Sequence, residues 1–184
     1  MRARLLTVSS FVLAAALAVP STAAAADTLI SPLVGVTFGA DAPAAKPTFG
    51  GSVTFFGNSA GLELEYARTS NFFDENPEAS VTTATASFIV GGNPDGKGTK
   101  PYALVGVGLI RPNVKGTDIF DDVHYNDFGI VLGIGVNSLL TDHVGVRGDL
   151  RYYRALQGPS DNGVIPIASN FDFFRAVVGL SLYF

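Results

Sequence analysis

Apolar side chains recur at every second position along most of the chain after residue 26, and turn-forming residues interrupt this pattern at regular intervals. The pattern is clearest over residues 173–184. One face of that segment is wholly apolar, and the other carries small or polar side chains such as Arg175 and Ser181. Because successive side chains of a β-strand point to opposite faces, this period of two predicts a strand with one apolar face.

Seven earlier segments show this alternation, which is weak over the Thr- and Ala-rich residues 81–90, and no helical periodicity follows residue 27. Spanning strands take about 9–11 residues each, so eight fit the chain with room for connections. The connections alternate between short and mostly longer, which predicts an all-β, eight-stranded antiparallel up-and-down transmembrane β-barrel with short periplasmic turns and four extracellular loops. The segments are residues 28–38, 47–57, 61–68, 81–90, 102–111, 127–137, 143–154 and 173–184. The short connections are 57–61, 91–100 and 137–142, and the longer ones are 39–46, 69–80, 112–126 and 155–169.

The polar face of these segments distinguishes a membrane barrel from a soluble sandwich. A soluble surface is about 25–35% charged, whereas this chain has 15% charged residues and a mean hydropathy of +0.33. We therefore expect lipid to surround the apolar face. The polar face consists of Gly, Ser and Thr with three acidic and three basic side chains, which are Glu63, Glu65, Asp149, Arg147, Arg151 and Arg175.

An eight-stranded barrel is wide enough only for its own side chains. These six charges are therefore predicted to form a lumen ion-pair network with no water-filled pore. A proton or ion relay is the alternative, because charges at membrane depth are often functional. Aromatic residues near the segment ends are predicted to form interfacial girdles. They are Tyr66, Tyr102, Tyr152, Tyr183 and Phe184.

The first 26 residues have the pattern of an export signal. Arg2 and Arg4 precede an apolar run over 11–19, and small residues follow it before Asp27. The run is shorter than the about 20 residues of a spanning helix. We expect residues 1–26 to be a signal peptide that is removed and residues 27–184 to form the barrel domain. Without cysteine, neither a lipid-modified amino-terminal Cys nor a disulfide framework is available.

Charge and candidate chemistry narrow the function further. Removing Arg2 and Arg4 changes the formal charge from −4 to −6, so no basic stripe for nucleic acid remains. The acidic loop from Asp118 to Asp127 has oxygen ligands suited to divalent cations but not the spacing of an EF-hand. We predict no metal site, no cofactor and no catalytic residues, because two histidines and no ordered Ser/His/Asp set leave little for an enzyme. Residues 91–99, GGNPDGKGT, are read as a turn, because a strand rather than a helix follows them.

Three segments resemble the small outer-membrane β-barrel family that includes the OmpA transmembrane domain and the OmpX-like and OmpW-like proteins. They are KPYALVGVGLI at 100–110, the Gly-rich strand pair at 127–154, and the closing FFRAVVGLSLYF at 173–184. The resemblance implies a Gram-negative outer-membrane location, contact with outer-membrane lipids and lipopolysaccharide, and a monomer. It also implies periplasmic chaperones and the barrel-assembly machinery as partners in biogenesis, with Phe184 as the assembly signal.

The resemblance leaves three functional classes open. The first is a non-enzymatic structural or surface-interaction protein that meets a host or surface ligand through its extracellular loops. The second is passive uptake of small hydrophobic molecules, as in OmpW-like barrels. The third is lipid A modification, which the residues favour least, because the stretch 123–126 around His124 lacks a serine nucleophile.

Overall fold

The strands of this protein were located in a computed structural model, which describes residues 27–57, 59–72, 80–92, 98–114, 123–124, 127–156 and 171–184. The predicted signal peptide lies outside these residues. In the part of the chain described, no helix has the length and hydropathy of a membrane span. The strands there are β1 (Asp27–Gly39), β2 (Ala42–Phe56), β3 (Ala60–Ser70), β4 (Ser80–Gly91), β5 (Gly98–Val114), β6 (Val123–His124), β7 (Asp127–Leu139), β8 (Val144–Ala155) and β9 (Asp172–Tyr183).

Eight long strands close into an antiparallel barrel. Their order is β4-β3-β2-β1-β9-β8-β7-β5, and pairing of β4 with β5 completes the ring, while the short β6 extends one end of β5. The closing strand β9 pairs with β1 from Leu29–Tyr183 to Phe38–Phe174. This architecture confirms the predicted eight-stranded up-and-down barrel.

The pairing register sets the tilt of the strands. Following paired residues from Arg111 through all eight strands returns to Pro101, a stagger of 111 − 101 = 10 residues. A stagger of ten residues is a displacement of about 33 Å along the strand direction, and eight strand spacings give a circumference of about 38 Å perpendicular to the strands. The ratio gives a tilt of about 41°, within the range of closed barrels.

The two faces of the strands separate as the alternation predicts. Large apolar side chains point outward and are exposed, among them Leu62 (60%), Ile134 (64%) and Val178 (61%). About five outward positions per tilted strand make an apolar band about 25 Å high, which matches the lipid-facing band of a membrane barrel. The buried polar side chains point inward.

The inward face also carries apolar side chains that the sequence reading missed. Near the ends of β1, β2 and β4 that lie beside the chain termini, Leu29, Phe56 and Ile89 are buried in the interior. At the opposite end, Phe72 and Phe173 are fully buried with ring centroids 5.7 Å apart. The prediction of a purely small or polar inward face was therefore too simple, since each end of the interior is packed with apolar groups.

Two of the five predicted girdle assignments were wrong. Tyr102 and Tyr183 are only 8% exposed and point into the barrel. Tyr66 and Phe184 point outward and are 60% and 74% exposed, and Tyr152 also lies on the outer face. Proximity to a strand end does not decide the face, because the face depends on odd or even position along the strand.

The first predicted long loop, 39–46, was also wrong. β2 begins at Ala42, so only Ala40 and Asp41 join it to β1. The backbone reverses there with positive φ at Gly39 (72°) and Ala40 (52°). The Ala- and Pro-rich stretch 42–47 lacks an alternating pattern, yet it pairs with β1 as a strand. The other connections at this end of the barrel remain longer than the turns beside the termini.

Candidate functional site

The six charged residues predicted to face the lumen lie on three strands. Glu63 and Glu65 are on β3, Arg147, Asp149 and Arg151 on β8, and Arg175 on β9. Residues two apart share a face, so each strand directs its charges inward. All six side chains are at most 6% exposed. Strands β3 and β8 are four places apart in the ring of eight, so their side chains meet across the interior.

Arg147 connects opposite walls of the barrel interior. Its guanidinium lies 2.6 Å from Glu63 Oε2 and 2.9 Å from Asp149 Oδ2. The same group donates to the Tyr102 hydroxyl at 2.7 Å and to Ser52 Oγ at 3.2 Å. Tyr102 in turn donates to Asp149 Oδ2 at 2.6 Å. Arg147 therefore joins four neighbouring side chains from four different strand positions.

Arg151 lies among three carboxylates and is fully buried. Its Nη2 is 2.8 Å from Glu63 Oε1, its Nη1 is 2.9 Å from Glu65 Oε2, and its Nε is 2.5 Å from Asp149 Oδ1. The Nε contact has hydrogen-bond geometry. The two Nη contacts are close charge pairs whose directions fall outside that geometry, so they contribute through charge attraction more than through directed hydrogen bonds.

Arg175 extends the network toward the end that carries the longer loops. It is 3.3 Å from Glu65 Oε1 and donates to Thr83 at 2.9 Å and to the Tyr153 hydroxyl at 3.1 Å. Its guanidinium carbon also lies 4.6 Å from the centre of the Tyr153 ring, a cation–π distance. Arg175 further donates to Thr37 at 3.2 Å, which belongs to a cluster of three threonine hydroxyls 2.8–3.0 Å apart.

Glycines make room for the large side chains of the network. A Cβ added to Gly135 would overlap the Tyr102 ring, and one added to Gly133 would lie 3.0 Å from the Arg151 side chain. The recess beside Tyr102 and Arg147 has a volume of only about 10 Å³, room for about one water molecule. The network and the apolar layers thus fill the barrel.

The arrangement is suited to structural pairing more than to chemistry. Three acidic and three basic side chains balance, and each acidic oxygen meets a cation within 3.3 Å or a hydroxyl donor. Such pairing holds the charges in place, whereas a nucleophile or general base needs access to a substrate. Over the ranges that the structure describes, no group of three or more His, Asp or Glu could hold a metal ion.

The other sequence candidates lie apart from this network. The acidic loop 118–122 lies outside the described residues, and Asp127 is the first residue of β7. His143 sits in the turn before β8, where Thr141 Oγ1 accepts from the Val144 backbone at 3.1 Å. Phe184 is outside the barrel, at the seam between β9 and β1, and its backbone exchanges hydrogen bonds with Thr28 at 3.0 and 3.2 Å.

Sequence reasoning missed the hydroxyl groups of this site. Tyr102 and Tyr153 each bond both an arginine and a carboxylate. The available signal was the odd or even position of each residue along its strand. Tyr153 lies two residues from Arg151 on β8, and Tyr102 lies two residues from Leu104 on β5, so both tyrosines share an inward face with these neighbours. Alternation puts both side chains on the inward face, but it does not show that they bond the charged residues.

The chain is similar to a known family and to several solved structures. A family model described as the outer membrane protein beta-barrel domain matches residues 11–184. No curated protein sequence matches the chain. At the identities given below, the likeness to solved structures shows a shared fold.

Several solved structures are similar to this chain. The N-terminal β-barrel domain of Pseudomonas aeruginosa OprF matches with a TM-score of 0.61 and 16% identity, covering 86% of this chain and 97% of that one. Neisserial surface protein A matches with a TM-score of 0.59 and 17% identity, covering 86% and 96%. Ail, the attachment invasion locus protein of Yersinia pestis, matches with a TM-score of 0.59 and 12% identity, covering 88% and 100%.

Proposed function

The chain belongs to the outer-membrane protein β-barrel domain family, and on that premise we propose that it is a non-enzymatic protein whose closed barrel holds surface loops that interact with molecules outside the cell. The family and its barrel relatives give the chain an outer-membrane location. The observation that carries the proposal is the filled interior, in which Arg147 and Arg151 pair with carboxylates from the opposite wall.

A filled interior supports a scaffold rather than a channel. Side chains tied by several hydrogen bonds would have to separate before a solute could pass, and each buried charge left unpaired is costly. We expect liposomes containing the refolded mature protein to release small sugars and ions no faster than empty liposomes, with a general porin as the positive control. Release above the empty-vesicle rate from the unmodified protein would contradict the scaffold role.

Uptake of small hydrophobic molecules is the second candidate, and the geometry gives it less support. Strand ladders join every neighbouring pair from β1 round to β9 over the described residues, and the β1–β9 ladder has a break at Ser31 and Pro32. Ser31 Oγ lies 3.2 Å from Ser181 Oγ at this break, so side chains hold the two strands together where backbone pairs are missing. Transfer of a fluorescent hydrophobic probe into protein-containing vesicles, compared with empty ones, tests this alternative directly. Faster transfer would favour uptake over the scaffold role.

The loops direct the search for a surface ligand. Ail has been solved in complex with the heparin analogue sucrose octasulfate, a polyanion. Here the three longer connections, 71–79, 115–126 and 156–171, contain seven acidic residues and one lysine. Like charges in the loops repel a polyanion, so we propose a cationic or divalent-cation-bridged partner instead. The acidic residues are Asp74, Glu75, Glu78, Asp118, Asp121, Asp122 and Asp161.

This choice of partner has a simple test. The protein in nanodiscs should pass a heparin surface unretained at low salt and should bind a polylysine surface in a salt-dependent way, because exposed charges act over about one Debye length. Retention on heparin would show that the loop charges do not govern recognition. Mass spectra of lipid A from cells with and without the protein test the non-enzymatic part, and an altered acyl pattern would overturn it.

We also propose how the protein is exported and assembled in the outer membrane. Residues 1–26 act as a cleaved signal, periplasmic chaperones carry the mature chain, and the barrel-assembly machinery recognises the closing strand through Phe184. Support comes from the position of Phe184, which is 74% exposed at the β1–β9 seam where the barrel closes. Because its side chain is exposed, a recognition partner can contact it at the strand where the barrel closes.

A further inference from the structure

Three aromatic rings pack together in the interior at the end of the barrel that carries the longer connections. The rings of Phe72, Phe171 and Phe173 form a triangle whose centroids are 5.7, 5.7 and 5.8 Å apart. Two of the three contacts are edge-to-face, with interplanar angles of 72° and 63°, a geometry that aromatic pairs prefer. Phe72 and Phe173 are fully buried, and Phe171 is half-buried. These three residues make up the outer aromatic triangle.

Two corners of the triangle stand outside the strands. β3 ends at Ser70, and Phe72 lies two residues further on. Asn71 between them has a φ of 53°, a left-handed conformation in which asparagine is enriched. Phe171 directly precedes β9, and the Ala155 backbone donates to its carbonyl at 2.9 Å. The Phe72 ring can therefore swing about the single residue Asn71 without separating paired strands.

The third corner joins the triangle to the charged network. The Phe173 ring stacks on Tyr153 with centroids 4.9 Å apart and an interplanar angle of 14°. The guanidinium carbon of Arg175 lies 5.6 Å from the Phe173 centroid, and the Tyr153 hydroxyl donates to Glu65 at 2.9 Å. The triangle therefore covers the side of the network that faces the longer connections.

Arg175, beneath the triangle, has the weakest carboxylate contact of the three network arginines. Arg147 and Arg151 each contact carboxylates at 2.9 Å or less, whereas Arg175 lies 3.3 Å from Glu65. Although Arg175 is fully buried, its Nη2 has no hydrogen-bond partner among the described residues. A buried charged donor without a partner is costly, so a water molecule at this nitrogen would stabilise the interior. The apolar rings above Arg175 oppose the entry of that water.

We propose that the outer aromatic triangle is a hinged lid that opens by movement of Phe72 and Phe171 and admits water to Arg175 while the barrel wall stays closed. In the closed state the rings exclude water, as apolar constrictions do in gated pores, and the dry interior strengthens the charge pairs. In the open state hydration of Arg175 Nη2 offsets part of the lost ring contacts. The apolar layer at the other end, with Leu29 and Phe56, remains in place. The open state is therefore a water-filled pocket rather than a channel.

A single introduced cysteine measures this opening, because the chain has no cysteine of its own. Thr85 is buried beside Glu65 in register, and its hydroxyl has no hydrogen-bond partner among the described residues, so Thr85→Cys removes none of the hydrogen bonds found there. The folded protein in nanodiscs is treated with iodoacetamide, and intact mass gives the alkylation rate. We expect Phe72→Ala to raise the rate at residue 85 about 10–100-fold, because it removes two ring contacts. Phe171→Ala also removes two and should raise the rate to a similar extent.

Two controls separate lid opening from general loosening of the barrel. Phe174 follows Phe173 on β9 but points outward, where its ring packs against Phe38 and Tyr152. Phe174→Ala removes the same ring from the other face and should change the rate at residue 85 by less than about twofold. Ser181→Cys is a second probe at a fully buried position toward the other end of the barrel, and Phe72→Ala should leave its rate unchanged.

Heat-dependent gel mobility confirms that each variant is folded. Equal rates at residue 85 in the presence and absence of the Phe72 ring would overturn the proposal, as would an equally large rise in Phe174→Ala. A rise at residue 181 as large as that at residue 85 would also overturn it, because the whole barrel would then have loosened. Leakage of small ions from liposomes that contain Phe72→Ala, but not from those that contain the unmodified protein, would show a channel behind the rings instead of a closed pocket.

Discussion

The loss of Arg151 offers the sharpest test of how the barrel interior is held together. Arg151 is fully buried and contacts Glu63, Glu65 and Asp149 at 2.8, 2.9 and 2.5 Å. Arg151→Met keeps much of the side-chain volume and removes the charge. Three carboxylates then share two arginines, and the interior carries one uncompensated negative charge.

The expected cost follows from that single charge rather than from three separate contacts. Glu63 and Asp149 keep Arg147, and Glu65 keeps Arg175. Removing one partner of a buried pair costs about 3–5 kcal/mol, so we expect Arg151→Met to lower the free energy of unfolding by about that amount. Against a total stability of about 5–15 kcal/mol, the change is large.

A second substitution restores the charge balance. In Arg151→Met with Glu63→Gln, the pairs Arg147–Asp149 and Arg175–Glu65 remain, and the interior is neutral again. Replacing a complete buried pair with uncharged groups is often close to neutral for stability. We therefore expect the double variant to recover about 2 kcal/mol of the loss, within the range of coupling energies for groups in contact.

The measurement is urea unfolding of the protein in short-chain phosphatidylcholine vesicles, extrapolated linearly to zero urea. Far-UV circular dichroism and gel mobility report folding, since the chain has no tryptophan. Arg154→Met, at an outward position on the same strand, is the control and should change stability by less than about 1 kcal/mol. A loss below about 1 kcal/mol in Arg151→Met, or no recovery in the double variant, would refute the network as the source of stability.

Three further predictions concern packing, assembly and processing. Gly135→Ala places a Cβ against Tyr102 and should destabilise the barrel by about 1–3 kcal/mol in the same assay, whereas Gly148→Ala, whose nearest neighbours are 3.8 Å away, should be tolerated. Phe184→Ser should reduce the folded fraction in cells but not the urea midpoint of protein already folded, because the side chain is 74% exposed; an altered midpoint would contradict a role confined to assembly. Intact mass of protein from outer-membrane fractions should correspond to a chain that begins at Asp27, and retention of residues 1–26 would rule out cleavage there.

The faces of most strands could be read from the sequence, and so could the number of strands. The alternation on β3, where Leu62 and Leu64 flank Glu63, requires only the local geometry of an extended chain. The same reading failed over 42–47, because alanine and proline give no contrast between faces. It also misplaced Tyr102 and Tyr183, which were assigned by nearness to a strand end instead of by parity.

The sequence identified only some of the residues that form the interior network. Six charges on inward positions could be recognised, but not which of them meet. Arg147 and Glu63 are 84 residues apart, and β3 faces β8 only because the ring has eight strands in this order. The hydroxyl partners Tyr102 and Tyr153 depend on the same geometry, since each needs a neighbour on another strand.

The sequence by itself determined the class of structure: strands with one apolar and one polar face, enough of them to close a barrel, and a preference for lipid outside. Side-chain direction within a strand is a local property of the backbone, so a period of two reveals it. The tertiary structure decided which charges pair across the interior and which hydroxyl groups join them. Those contacts depend on strand order and on the stagger of ten residues around the ring, which arise only when all the strands pair.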